Sequence, residues 1–338
     1  MAQNVSYASG DSLLESLVLH IAPNFSPTAD GIINSNFLLS YLKMKERMDI
    51  VDGGLEFWGG LRKSKNSNLR WQSHESDMSA NVQDPVMRLR YDIMTFAGAA
   101  VVINKKHEAM NKGQAMIKEF AKELMEQANG TISNEFNSSF WKSSPTAGVE
   151  PESIPSLISA TPTVGTIGGQ TRSTNTALQN GVFTTTVSDV GSESGIAALK
   201  RQIIRNSVGS NDFADLVIMG DELYAGLTGY LETLRRYKPN EKLAELDFDT
   251  IQMGKTTIGY ENTNVMNSED TITSNYVYGI NSKYLKFKTL KDGNFTFDPD
   301  GFKQIGTRLD RALYFYVFCN LCCFLPRAQF VMTAVSTT

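Results

Sequence analysis

Cys319, Cys322 and Cys323 are the residues in this chain best spaced for metal chemistry. A structural zinc site takes four ligands, and thiolates at i, i+3 and i+4 on a strand do not converge on one point. His20, His74 and His107 are too remote in sequence to complete such a site. Reduced, buried thiols are the expected state. Met253-Gly254-Lys255-Thr256 ends like a phosphate-binding loop. That motif needs a glycine five residues before Gly254, where Asp249 stands, and a helix after it rather than the strand-like stretch that follows. His74-Glu75-Ser76-Asp77 contains triad residue types, but neighbours in one polar loop hold no fixed triad geometry. Asp298-Pro299-Asp300-Gly301 reads as a turn, because the calcium-loop spacing is absent. No catalytic, cofactor-binding or metal-ligating residue is assigned, and the expected class is not an enzyme.

A different chemistry, that of contact, is carried by Arg62, Lys63, Lys65 and Arg70, the clearest basic cluster. It is either a solvated loop face or a surface for an acidic neighbour. Trp58 and Trp71 would ordinarily be core residues. In and beside a protruding hairpin they suit subunit contacts, where aromatics are enriched. The subunit-contact candidates are therefore Trp58, Lys63, Lys65, Arg70 and Trp71.

The elements that must position these residues follow from periodicity. Leu55–Arg62 and 85–103 read as strands; in the second, Met87, Leu89, Tyr91 and Ile93 alternate with Arg88, Arg90 and Asp92. Between them, 63–84 is polar and turn-rich, and a loop this long points to an extended hairpin with a role outside the subunit's own core. Residues 104–141 form the longest proline-free periodic stretch. Ile117, Phe120, Leu124, Ala128, Ile132, Phe136 and Phe140 recur at steps of three and four along one side of a helix. Asn104 can cap its start, and Asn129-Gly130 is where a kink or break is expected.

Upstream, Ser12-Leu13-Leu14-Glu15 is a capping box for a short helix to about His20, followed by an irregular linker from Pro23 to Asp30. Residues 36–47 form a second short helix and Asp52-Gly53-Gly54 a turn. The stretch 141–169 carries four prolines and ends in Gly-Gly, a boundary between folding units. Beyond it lie a helix at 194–208, a buried strand at 216–219 and a helix capped by Asp221. Strands follow at 255–260, 276–280 and 284–289, and the end, 311–335, is strand-like and highly apolar.

At 338 residues the chain can bury a large core, enough for two or three folding units. An apolar fraction of 41% excludes a disordered chain, and a net charge of −4 argues against a general nucleic-acid binder. Residues 1–21 have no basic n-region, so no secretion signal is expected. The run Ala312–Leu325 is too short to span a bilayer and contains Asn320. Three cysteines in this length make no disulfide framework, which fits a reducing cytoplasm.

In order along its length, the chain resembles the major capsid proteins of tailed bacteriophages with the HK97-type fold. The resemblance runs through FLLSYLKMKERMDIVDGGLEFWGGLRKSKNSN and RLRYDIMTFAGAAVVINKKHEAMNKGQAMIKEF, with Glu108, Asn111 and Gly113. It continues in VGTIGGQTRSTNTALQNG, a Gly-Gly, Arg-Ser/Thr segment, then in DFADLVIMGDELYAGLTGY, NYVYGINSKYLKF and FCNLCCFLPRAQFVMTAV. Each motif is short; their shared order over most of the chain carries the likeness.

The resemblance implies an α+β fold with an N-terminal arm (1–50), an E-loop hairpin (51–100) and a P-domain with the spine helix (101–164). An A-domain (165–284) and a return to the P-domain (285–338) follow. It implies a shell around phage double-stranded DNA, located in the virion and assembled in the bacterial host cytoplasm. Partners would be the chain itself in hexameric and pentameric capsomers, a portal, scaffolding or decoration proteins where used, and DNA contacted weakly and non-specifically. No membrane and no cofactor is implied. The chain departs from some relatives in carrying no long amino-terminal segment able to act as a fused scaffold. An encapsulin-like nanocompartment shell keeps the same fold, and a soluble enzyme with an unrecognised pocket is the alternative of a different class. Neighbouring portal and terminase genes would favour the phage shell, and an adjacent cargo-enzyme gene the nanocompartment.

Overall fold

The computed structural model describes residues 32–64, 66, 68–71, 73, 74, 80–82, 84–104, 114–184, 190–209, 212–234, 249–261, 275–298, 303–305 and 310–333. The expected capping box at Ser12–Glu15, the linker 23–30, Lys65, residues 75–77, Glu108, Asn111, Gly113 and residues 299–301 lie outside these.

Asn36 opens helix α1 (Phe37–Met44), its side-chain oxygen accepting from the Leu39 N–H at 2.9 Å. Phe37 through Leu42 are all buried, so this helix is part of the core rather than a surface amphipath. After β1 (Met48–Val51), β2 (Glu56–Arg62) and β3 (Val86–Asp92) form the antiparallel hairpin, from Glu56 opposite Asp92 to Arg62 opposite Val86. The expected single strand over 85–103 is corrected here. The chain changes sheet at Ile93, and β4 (Met94–Asn104) runs antiparallel along β15 (Asp310–Cys323) instead. Alternation through β3 up to Asp92 gives no sign of the new partner.

The spine helix, α2 (Gln114–Trp141), is 28 residues long, about 42 Å at 1.5 Å per residue. Asn104, expected as its cap, ends β4 opposite Asp310. The expected break at Gly130 does not occur: the helix runs through it. Packing explains this. In the turns after the glycine, Ile132, Phe136 and Phe140 are buried, with the Phe136 ring 5.1 Å from Phe96 and the Phe140 ring 5.8 Å from Phe287. Burying such side chains outweighs the roughly 1 kcal/mol that a helical glycine costs. A Cβ on Gly130 would meet nothing within 4 Å. Gly130→Ala is thus expected to raise subunit stability by about 0.5–1 kcal/mol, read as a higher urea midpoint at unchanged slope.

Past the spine come α3 (Ile154–Leu157), the small hairpin β5 (Thr166–Ile167) and β6 (Gln170–Thr171), β7 (Gly181–Thr184) and α4 (Glu193–Arg205). Next are β8 (Leu216–Gly220), α5 (Asp221–Leu234), β9 (Ile251–Met253) and β10 (Thr256–Glu261). Then follow β11 (Val277–Ile280), β12 (Leu285–Leu290), β13 (Thr296–Phe297) and β14 (Lys303–Gln304). The apolar end is not one strand. A turn at Pro326–Ala328 separates β15 from β16 (Phe330–Thr333), and the two lie in different sheets.

The first six-stranded sheet has the order β1-β12-β15-β13, with β4 and β14 also paired to β15; the second has the order β7-β16-β11-β8-β10-β9. Strand alternation gives the second sheet two working faces. Leu216, Ile218, Tyr278, Ile280 and Val331 point into the core shared with α1, α2 and the first sheet. Val217, Met219, Ile258, Val277, Phe330 and Met332 point the other way, under Leu199 and Ile203 of α4 and Leu223, Leu227 and Leu231 of α5.

Candidate subunit-contact surface

The hairpin divides by face. Phe57, Leu61, Met87, Leu89 and Tyr91 alternate inward and are buried in the main core. The opposite face carries Trp58, 63% exposed, with the Arg88 guanidinium 5.1 Å from its ring centroid. An arginine over an indole is a cation–π contact and keeps both groups extended along the strand surface. Arg90 Nε and a Glu56 carboxylate oxygen stand 3.8 Å apart on the same face.

The base of the hairpin is pinned from two sides. The Tyr91 hydroxyl donates to the Cys323 carbonyl at 2.5 Å, and the buried Asn320 amide donates to the Asp92 carbonyl at 2.7 Å. The Asn320 oxygen in turn accepts from the Glu152 and Leu321 N–H groups at 2.9 and 2.7 Å. From the other side the β5–β6 turn leans on β3: Arg90 N–H donates to the Gly168 carbonyl at 3.0 Å. Gly168 has φ +54°, and a Cβ there would stand 2.8 Å from Leu89 Cβ. Only glycine fits, in conformation and in space. The base of the hairpin is therefore anchored in the subunit.

Beyond Arg62 the character changes. Lys63 N–H donates to the Pro85 carbonyl at 2.8 Å, and its ammonium lies 3.5 Å from Asp84. The Asn68 side chain closes the tip, donating to the Asn81 carbonyl at 2.8 Å and accepting from the Asn81 N–H at 3.1 Å. Around this clasp Leu69 (79%), Trp71 (104%) and Val82 (103%) stand open to solvent, and Arg70 is exposed beside them. Lys65 lies outside the described residues. The structure thus places Trp58 on the outer strand face and Trp71 and Arg70 at the tip, with Lys63 between and held to Asp84.

Sequence reasoning missed the residue that holds the turn behind the hairpin. Arg172, 1% exposed, donates to the Ser156 and Leu157 carbonyls and to the Asn180 side-chain oxygen. Burial pulls its pKa down, yet an arginine stays charged in proteins. The Gly-Gly and Arg of the 164–181 segment were visible as a pattern; their docking of α3 and β3 was not.

The tempting chemical sites resolve into structure. Cys319, Cys322 and Cys323 are buried on β15, Cys322 on the face opposite the other two. Burial pushes the Cys319 and Cys323 thiols up to about 12 and that of Cys322 further up. Such thiols are poor nucleophiles and poor ligands. All three are expected to resist thiol reagents in the native protein and to react fully once it unfolds. Met253–Thr256 is the turn joining β9 to β10. Among the described residues no group of three or more His, Cys, Asp or Glu side chains is placed to hold a metal ion, and no helix is long and apolar enough to cross a membrane.

No protein-family model and no curated protein matches this sequence. Solved structures do. The capsid asymmetric unit of cyanophage A-1(L) gives a TM-score of 0.61 at 10% identity, over 87% of this chain and 93% of that one. The capsid of an empty GTA particle gives 0.54 at 10% identity, over 87% and 89%. The mature capsid of bacteriophage PhiM1 gives 0.53 at 9% identity, over 86% of each chain. At such identities the likeness is one of fold: spine helix, hairpin and two sheets make up the HK97-type capsid fold.

Proposed function

We propose that this chain is the major subunit of an icosahedral shell enclosing phage double-stranded DNA, a structural and non-enzymatic role in the virion. The hairpin carries the reading: one face is locked in the subunit core while the tip exposes Trp71, Leu69 and Val82, which nothing in the same chain covers among the described residues. Exposed apolar side chains gathered on a protruding element mark an interaction surface. Likeness in fold to phage capsid structures supports a reading in which the hairpin meets a neighbouring copy.

In this reading residues 1–50 are the arm, 51–100 the E-loop and 101–164 the P-domain around α2. Residues 165–284 are the A-domain, and 285–338 return through β15 before β16 joins the second sheet. The chain's partners are further copies of itself in hexameric and pentameric capsomers, with a portal and any scaffolding or decoration proteins the system uses. Trp58, Lys63, Lys65, Arg70 and Trp71 carry subunit contacts. A net charge of −4 suits a wall that should hold packaged DNA only weakly. Electron microscopy of the purified, concentrated protein, co-expressed with its scaffold if one is encoded, should show rings or shells. A stable, monodisperse monomer under every condition would overturn the proposal.

A further inference from the structure

Two helices on the second sheet carry outer faces that the hairpin leaves unused. In α4, Leu199 and Ile203 pack inward, while Ala197, Lys200, Arg201, Ile204 and Arg205 are exposed. At about 100° per residue, Ile204 falls between Lys200 and Arg201 on that outer side. Ile204 itself is 62% exposed. The helix dipole accounts for Arg205 in the last turn. It does not account for two more cations a turn earlier, nor for an open isoleucine among them.

In α5, Leu223, Leu227 and Leu231 pack inward, while Glu222, Ala225, Gly229 and Glu232 are exposed along one side. The helix runs from Asp221 to Leu234 without a cation. Its dipole favours Asp221 and Glu222 in the first turn and disfavours Glu232 near the carbonyl end. Gly229 is equally unexplained within one chain. A mid-helix glycine costs about 1 kcal/mol against alanine, yet a Cβ there would meet nothing within 4 Å. Bare backbone between Glu222 and Glu232 leaves room for a side chain from outside. Among the described residues, none of Lys200, Arg201, Arg205, Glu222 and Glu232 forms an ion pair.

The two helices lie toward opposite edges of the sheet. Asn206, the C-cap of α4, abuts the start of β7, where a Cβ on Gly181 would stand 2.5 Å from its side-chain oxygen. On α5 the Tyr224 ring lies 4.9 Å from that of Tyr260 in β10. Strand β7 is one edge, and β10 stands next to the other, about 19 Å away at about 4.8 Å per strand. A basic face with a protruding isoleucine thus complements an acidic face with a bare centre. Because they are different patches of one molecule, copies joined through them meet head to tail, and such contacts close into rings.

We propose that the outer face of α4 in one copy docks on the outer face of α5 in the next. Ile204 meets Gly229, and Lys200 and Arg201 meet Glu222 and Glu232. This rests on the shell reading, and names a contact within its rings that is separate from the hairpin. Three full-length variants test it: Lys200→Glu/Arg201→Glu, Glu222→Lys/Glu232→Lys, and Gly229→Leu. The charge variants should melt like wild type, because all four positions are exposed. Gly229→Leu should melt no lower, because leucine is the better helix former and its Cβ has open space in its own chain. Each variant alone should need a protein concentration on the order of tenfold higher to assemble. An equimolar mixture of the two charge variants should recover most of that loss, since each offers the charge the other lacks, whereas no mixing should rescue Gly229→Leu with itself. Mixing without recovery, while one chain carrying all four charge exchanges assembles, would place the contact within a single chain and overturn the proposal. Shells from wild type with unchanged thresholds in all three variants would remove this contact alone. Wild-type protein that never assembles would remove the shell reading and this contact with it.

Discussion

Arg172→Met is expected to lower subunit stability by about 3–5 kcal/mol, the largest single-residue effect outside the apolar core. The guanidinium is buried and holds three acceptors at once: two consecutive carbonyls at the end of α3 and the Asn180 side chain. Methionine fills much of the volume but donates nothing. The Ser156 and Leu157 carbonyls and the Asn180 oxygen would remain without these partners, and each buried acceptor left unpaired costs about 1–3 kcal/mol. Lysine is no substitute, because a single ammonium cannot reproduce the planar fork. The loss should spread along the chain of contacts. With α3 loosened, the β5–β6 turn no longer presents Gly168 to Leu89 and Arg90, and the hairpin base loses one of its two supports. Thermal melts of the free subunit should show the drop. Amides of 86–92 should exchange faster than those of β8, which lies in the other sheet. A melting temperature within a degree or two of wild type would show that the buried arginine carries no such weight.

How far the sequence foretold this depends on the residue. The stripe Ile132, Phe136 and Phe140, at steps of four, identified the spine helix, because buried positions on one helix face repeat locally. The same local pattern placed Met87, Leu89 and Tyr91 on the inner side of β3, and all are buried. What failed was anything set by distant chain. Gly130 was expected to interrupt α2, since propensity is local and the rings of Phe96 and Phe287 that hold the helix are not. The sheet change at Ile93 and the parting of β15 from β16 at Pro326 depend on which strand lies alongside, and period-two alternation is blind to that. Arg172 sits in a polar, turn-rich stretch where arginine is normally solvated. Nothing short of the fold brings three acceptors to it. At the hairpin the composition of 63–84 showed a loop without a core of its own. It did not show that the strands beneath it are firmly docked.

That division between base and tip yields the second large effect. Trp71→Ala should leave the free subunit's stability within about 0.5 kcal/mol of wild type, because the side chain is 104% exposed and has no packing to lose. In the assembled shell the same change should cost about 2 kcal/mol or more per contact, as removal of a central tryptophan does in other interfaces. That is roughly thirtyfold in each contact's equilibrium constant, compounded around a ring. Leu89→Ala should invert the pattern. Its side chain is 0% exposed in the hairpin base, so the subunit itself should lose about 2–5 kcal/mol. Joint replacement of Lys63, Lys65 and Arg70 by glutamate should resemble Trp71→Ala in sparing the fold and impairing assembly, with a stronger dependence on salt. Hydrogen exchange supplies a readout free of mutation. In free subunits the amides of 63–84 should exchange freely, while Leu89 and Tyr91 in the docked base stay protected. On assembly, protection should extend into the tip, because ordering costs about 1–2 kcal/mol per residue and only a neighbour's surface can offset it there. Equal, strong protection of 63–84 before and after assembly would mean that the tip is already held by its own chain, and Trp71 would then have no role between subunits.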